Sequence, residues 1–525
     1  MHLRTTLLCP ALVLPLLAGA PAQKAHLQPD QARMKQDLFY LAGPACEGRG
    51  TGEPGQKKAA AFIARRMKEN GLKPLVGPGI GGETPYHFAY GLTRTSLDMA
   101  ASGLTLNGTR LKLGEDFMSF IPESHEAEAV LVGYGIKAPE LGWDDYQGVD
   151  LKGKWAVIFS GQPDLPEGPF KESPNHASAS NTAKQKAALE AGAIGLIVLQ
   201  GSHPKDQDLK KNASAFQGFL LKSRLQMKDS GPAFPLPKMV AVYPSGMKIL
   251  KLDGEALQKA LDGAGKPAAP RSLGTLRLDW AAKKEAVEAS NVLGLIPGTD
   301  PELKEEVVIV SAHHDHLGTH DGKRWPGADD NGSGTTGILE VARLLAHAKP
   351  KRTILFLSVS GEENGLFGSQ AFTEHPPLDL KQVVADLNLD MIGRGKADEL
   401  HVTPARIPDA VTTLTAEARR IAEEQGFPLS SGAEQYWRRS DHFNFVKKGI
   451  PALFFFAGMH EDYHQTTDTP DKIDFAKMAR IVSLTRELAL TVANAPGRPQ
   501  PVAKEVYDAW TWAGAVLAPE PRVTH

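Results

Sequence analysis

The sequence predicts an α/β fold, with helices on both faces of a mostly parallel central sheet, joined to a smaller β-rich α/β unit. Three observations predict it. From Ser290 onward, short apolar runs of strand type alternate with helical stretches. A second group of strand-like runs begins at about residue 126 and ends at the Pro267 to Pro270 linker. The chain also has 525 residues, more than one hydrophobic core usually supports.

The first residues read as an export signal. Arg4 supplies positive charge, Leu7 to Leu17 an apolar run, and Ala18-Gly19-Ala20 small residues for cleavage. That run is too short to span a membrane, which takes ~20 apolar residues. Residues 1–20 are therefore expected to be removed, leaving an exported, periplasmic or extracellular protein with no stable membrane insertion. Cys46 is then the one cysteine left, so neither an internal disulfide nor a thiolate zinc cluster can form.

Residues 30–120 form the expected first part of the main domain. It contains Ala32 to Leu41, a Gly-rich bend at Glu47 to Gly52, and a helix from Lys57 to Glu69. Ala60, Ile63, Ala64 and Met67 lie on one face of that helix, and Gly71 is its expected C-cap. Residues 126–270 form the expected insertion. Its strands are Ala129 to Tyr134, Trp155 to Ser160, Gly195 to Gln200 and Lys238 to Val242, with a helix at Ala183 to Ala193.

Residues 285–494 carry the rest of the main domain. Its strands are Val307 to Ser311, Thr353 to Val359, Val383 to Leu389 and Ala452 to Phe456. A helix over Thr336 to Ala348 places Ile338, Val341, Ala342 and Leu345 on one face. Residues 495–525 read as an extension packed on the surface, with Trp510 and Trp512 in it. The net charge of -2, with no cluster of Lys and Arg, argues against nucleic acid and against a charged membrane-surface patch.

Polar residues gather where these strands end, the edge at which open α/β sheets bind ligands. His313 follows one strand, and Asp315 two residues on can hold its second nitrogen. Asp329 and Asp330 adjoin in a loop that opens a helix, an arrangement that repels unless a cation is near. Glu362 and Glu363 follow another strand, so one can bind a metal while its neighbour acts as a general base. Asp390 ends an otherwise apolar strand and wants either a cation or a partner such as Arg394. After the last strand, His464 can close the site, with His460 its competitor. Two zinc ions balance three carboxylates and one hydroxide, and this oxygen and imidazole set suits zinc.

The strings SAHHDHLG, PGADDNGSG, GEENGLFGS, NLDMIGR, RRSDHFNF, GIPALFFF and DYHQTTDTP resemble the zinc aminopeptidases of the aminopeptidase Y and bacterial leucyl aminopeptidase type. LAGPACEGRGTGEPGQKKAAAFIA is similar to that family's N-terminal segment, with Gly43 and Pro44 where the family usually has Ser-Asp. The stretch VLVGYGIKAPELGWDDYQGVDLKGKWAVIF resembles an inserted protease-associated domain.

The resemblance implies a three-layer αβα zinc-exopeptidase fold and two zinc ions per chain. It implies that His313 and Asp390 hold one zinc, that Glu363 and His464 hold the other, and that Asp330 bridges them. Asp315 would orient His313, and Glu362 would act as general base. Tyr463 would hydrogen-bond the developing oxyanion, and Arg439 would hold the substrate carbonyl. A cis peptide is expected at Asp330-Asn331. The substrate would be a peptide with a free N-terminus. The alternatives are a glutaminyl cyclase, a glutamate-releasing carboxypeptidase and a non-catalytic receptor-like protein. Oligomeric state and side-chain preference are not legible.

Overall fold

The computed structural model describes residues 28–513, apart from 78, 81–83, 165–166, 168, 172–175, 201–223 and 229–237. The expected export signal, Cys9 and residues 514–525 lie outside the described residues.

Among the described residues, nine strands form one sheet. At its centre Thr353–Val359, Val307–His313, Val383–Leu389 and Ala452–Phe456 run side by side and parallel. Ala282–Ile296 flanks them antiparallel and pairs in turn with His87–Leu97. On the other side Leu400–Thr403 runs antiparallel to Ala452–Phe456.

The central strands are mostly apolar because both faces are covered, with Ser311, Ser358, Asp386 and Asn388 as buried polar exceptions. Side chains alternate across a strand. Val308, Val310 and Ala312 join a core shared with the helices Gly334–Leu345 and Phe475–Asn494. Val307 and Ile309 face the other way, onto Phe372 and Phe445 of Phe367–Glu374 and His442–Val446. Burying each such side chain stabilises the fold by about 1.5–3 kcal/mol. The result is the expected three-layer sandwich.

Helix ends follow their capping residues. Asp474 accepts from the amides of Ala476 and Lys477 to open Phe475–Asn494. Pro54 begins Pro54–Glu69; the cap is Asn70, and Gly71 supplies the left-handed residue after it, at φ +77°.

A second sheet of eight strands corrects the expected boundaries. It begins at Gly103–Leu106, not at residue 126, and runs through Arg271–Asp279, past residue 270. Leu104, Leu106, Leu111, Leu276 and Leu278 fill this sheet's own core, which decides where they belong. Its middle strands, His125–Leu131, Trp155–Phe159, Gly195–Leu199 and Met239–Val242, are parallel. Arg224–Met227, inside the expected insertion, instead pairs with His87–Leu97 at the edge of the nine-stranded sheet. As far as it is described, the extension reaches further in than a surface packing: Trp510 and Trp512 both flank the Arg419 guanidinium at 4.9 Å, and Trp512 is buried in the main core.

Candidate metal centre

The four parallel strands end at one edge of the sheet, and four polar groups follow from them. His313 is the last residue of its strand, and Glu362 and Glu363 follow Thr353–Val359. Asp390 directly follows Val383–Leu389, and His464 lies beyond Ala452–Phe456. Asp330 comes from the turn before Gly334–Leu345, where its peptide bond to Asn331 is cis. Met391 and His464 hold left-handed backbone at φ +55° and +56°, a strained conformation that clusters at functional sites.

These residues form two groups that share Asp330. His313 Nε2 lies 3.3 Å from Asp390 Oδ1 and 3.4 Å from Asp330 Oδ1, with Glu362 Oε2 at 3.9 Å. His464 Nε2 lies 3.1 Å from Asp330 Oδ2 and 3.0 Å from Glu363 Oε2. Two ligands of one tetrahedral zinc are separated by about 3.3–3.4 Å, given zinc–nitrogen distances of ~2.0–2.1 Å. Each oxygen of Asp330 therefore turns to a different group, as a bridging carboxylate must. His313, Glu362 and Asp390 present ligand atoms within 4.8 Å of one another, and so do His316, Asp330 and Glu363.

Charge confirms how crowded the acids are. Burial raises the Glu362 carboxyl well above its ordinary value; His313 pulls it back, and Glu363, Asp390 and Asp441 push it further up. Burial also raises Asp390, only partly offset by His313. Burial would lower His464, but Asp330 and Glu363 outweigh it and bring the imidazole up to about 10. Asp330 is driven the other way: burial raises it, yet His313, His464 and His316 hold it well below the carboxylate range. His464 Nε2 is buried and makes no well-formed hydrogen bond, although two acid oxygens lie within 3.1 Å. That is the arrangement of a ligand aimed at a point among the three. The donor set, imidazole and carboxylate throughout, fits zinc.

A surrounding layer of hydrogen bonds positions these side chains. Ser440 Oγ donates to Asp390 Oδ2 at 2.8 Å. Asp468 accepts from the amides of Asp329 and Asp330 and fixes the bridging turn. His313 Nδ1 faces the backbone carbonyl of Asp315 at 3.3 Å, with the Asp315 carboxylate 3.7 Å away; that carboxylate accepts from Thr51 Oγ1 at 2.8 Å and from the Glu362 amide at 3.2 Å. The competitor His460 turns to Asp329, with Nε2 3.2 Å from Oδ2. Arg394 pairs with Asp462, not Asp390.

All nine residues singled out in the sequence sit in this neighbourhood. His313, Asp330, Glu362, Glu363, Asp390 and His464 converge, and Asp315 lies behind them. Tyr463 and Arg439 line the adjoining cavity with Asp330, Glu362 and Asp390. Tyr463 stacks on His464 at 3.8 Å, and Arg439 Nη2 approaches the Tyr463 hydroxyl at 3.5 Å. Sequence reasoning missed four supporting residues: Ser440, Thr51, Asp468 and His316. Ser440 lies in the quoted string RRSDHFNF and His316 in SAHHDHLG, but nothing in the spacing says where either side chain turns.

Residues 291–489 match the family model described as Peptidase family M28. The aminopeptidase YwaD of Bacillus subtilis (strain 168) is 30% identical over 465 residues, covering 83% of this chain and 86% of that protein. The chain belongs to peptidase family M28. A probable leucine aminopeptidase of Arthroderma otae is 34% identical over 229 residues, 41% of this chain. The chain spans 62% of that fungal relative's length. Among solved structures, an aminopeptidase from Aneurinibacillus sp. strain AM-1 shares the fold, with a TM-score of 0.52 at 22% identity, over 91% of this chain and 97% of that one.

Proposed function

We propose that this M28 chain is an exported di-zinc aminopeptidase that hydrolyses the first peptide bond of peptides whose N-terminal residue is apolar. The observation that carries the proposal is the pair of ligand groups sharing Asp330, with Glu362 beside them. His313 and Asp390 would hold one zinc, Glu363 and His464 the other, and Asp330 both. Bound zinc would supply Lewis acidity, polarising the scissile carbonyl and lowering the pKa of water toward ~7.

The chain's own residues supply the rest. Glu362 takes the proton of the attacking water and passes it to the leaving amine. Its raised carboxyl suits that return step, and its backbone is pinned by Asp315. Burial raises the Tyr463 hydroxyl, so it stays protonated and can donate to the developing oxyanion. Arg439, across the cavity, would orient the substrate carbonyl. The acids favour a free α-ammonium, which selects chain ends over interior bonds. Met391, Tyr436, Phe454 and Phe456 line the same cavity and suit an apolar first side chain. The names of the fungal relatives point the same way.

Export rests on the apolar segment after Arg4; no described helix is long and apolar enough to cross a membrane. The eight-stranded sheet would be the protease-associated domain. The test is purified full chain assayed for zinc content and for aminoacyl-anilide hydrolysis across a set of N-terminal residues. Two zinc per chain, with leucyl or methionyl substrates turned over fastest and activity lost to a chelator, is the expected result. Cyclisation of N-terminal glutamine without amide hydrolysis would overturn it in favour of a cyclase.

A further inference from the structure

His316 has a buried ring inside this site and belongs to none of the five expected ligands. Its Nδ1 lies 2.6 Å from Glu363 Oε1 and 3.9 Å from Asp330 Oδ2. The other oxygen of Glu363, Oε2, is the one that faces His464. The two oxygens of this carboxylate are thus taken by two different histidines.

We infer that His316 is a positioning residue that holds Oε1 of Glu363 by a hydrogen bond and so fixes Glu363 as a one-oxygen ligand of the zinc shared with Asp330 and His464. This rests on the di-zinc reading above. A 2.6 Å contact is a charge-assisted hydrogen bond. It is too short for two separate ligands on one zinc, which sit about 3.3–3.4 Å apart. The carboxylate only accepts, so the imidazole proton is on Nδ1. Its Nε2 is buried and makes no hydrogen bond.

The surroundings are built for this ring. A Cβ on Gly327 would lie 2.4 Å from His316 Cγ, and Gly327 has φ +55°, so the wall beside the imidazole needs a residue without a side chain. The His316 amide donates to the Arg49 carbonyl at 3.1 Å. The buried Arg49 guanidinium in turn donates to the carbonyls of His314, Pro326 and Gly327, tying the histidine's loop to that wall. The His316 ring meets His464 edge-on at 5.8 Å and 70°.

The experiment is chelator-competition zinc titration of the full chain, comparing wild type, His316→Ala and His316→Asn, with melts of the metal-free proteins alongside. The side-chain amide of Asn can donate from the position of Nδ1. His316→Ala is expected to weaken one of two zinc equivalents by about 10–100-fold, the usual effect of losing an outer-shell partner. The other equivalent and the metal-free melt should stay at wild-type values, and His316→Asn should restore the affinity to within about threefold. Wild-type affinity in His316→Ala overturns the inference. So does an equal loss at both equivalents, or an Asn variant as weak as the Ala one. A wild type that binds one zinc overturns the di-zinc reading instead. His316 is then judged on that single affinity, and no change in His316→Ala overturns its role.

Discussion

At the scale of single residues, the site works through carboxylates whose environments differ. Asp330 is held ionised by three imidazoles, while burial and like charge push Glu362 up. Two acids pushed in opposite directions suit the proposed roles of a ligand and a proton carrier. Glu362→Ala should therefore lower kcat by roughly a thousand-fold, within the range for removing a general base. It should leave two zinc bound, because Glu362 lies 3.9 Å from His313 while the remaining ligands are intact. Steady-state kinetics and metal analysis of the same preparation check both points; a variant keeping most of its activity would show that another group is the base. His316 was quoted within its motif yet given no role. It sits beside a loop that the histidine's own segment does not encode, and its partner Glu363 is 47 residues away.

At the scale of elements, legibility followed burial. Thr353–Val359, Val383–Leu389 and Ala452–Phe456 were read with their observed ends, since a strand covered on both faces is a mostly apolar run bounded by turn residues. His87–Leu97 and Ala282–Ile296 were not singled out, although each is among the longest strands in the protein. Residues such as Lys283, Lys284 and Glu285 carry no apolar pattern, and the strand exists because of its cross-strand partners.

The central strand Val383–Leu389 also holds a testable charge. Asp386 is buried, accepts from Ser311 Oγ at 2.7 Å, and is raised to about 8 by that burial. Its folded value lies above the unfolded one, so its contribution to stability is complete below about pH 4 and is lost as pH rises toward 8. Asp386→Asn keeps the acceptor and removes the ionisation. Its melting temperature relative to wild type should rise steadily from pH 5 to pH 8. A constant difference across that range would mean that Asp386 is ionised in the folded state even at pH 5.

At the scale of the whole molecule, metal and chain end should both govern stability. At zinc 100 times Kd, each site contributes about 2.7 kcal/mol to the folded state. Chelation should lower the melting temperature by several degrees, and added zinc should restore it; calorimetry showing equal melts would contradict a buried metal pair. The extension is a second tie. Arg498 pairs with Glu306 at 2.7 Å, Pro501 bridges to Thr412, and Trp512 enters the main core. Ending the chain at Ala495 should therefore reduce thermal stability by several degrees while leaving zinc stoichiometry unchanged, which a melt and metal analysis of the truncated protein would decide.

By itself the sequence determined the α/β class, the central strands, the donor types and their order along the chain. Those properties are local: they depend on apolar runs and on which acids and histidines follow them. Only the tertiary structure decided that each Asp330 oxygen turns to a different group, that His460 leaves the site to His464, and that His316 holds Glu363. It alone also decided that Gly103–Leu106 and Arg271–Asp279 belong to one sheet and one core, while Arg224–Met227 joins the edge of the other sheet. The reason is distance in sequence: such contacts join segments tens to hundreds of residues apart, and only packing determines which side chains meet.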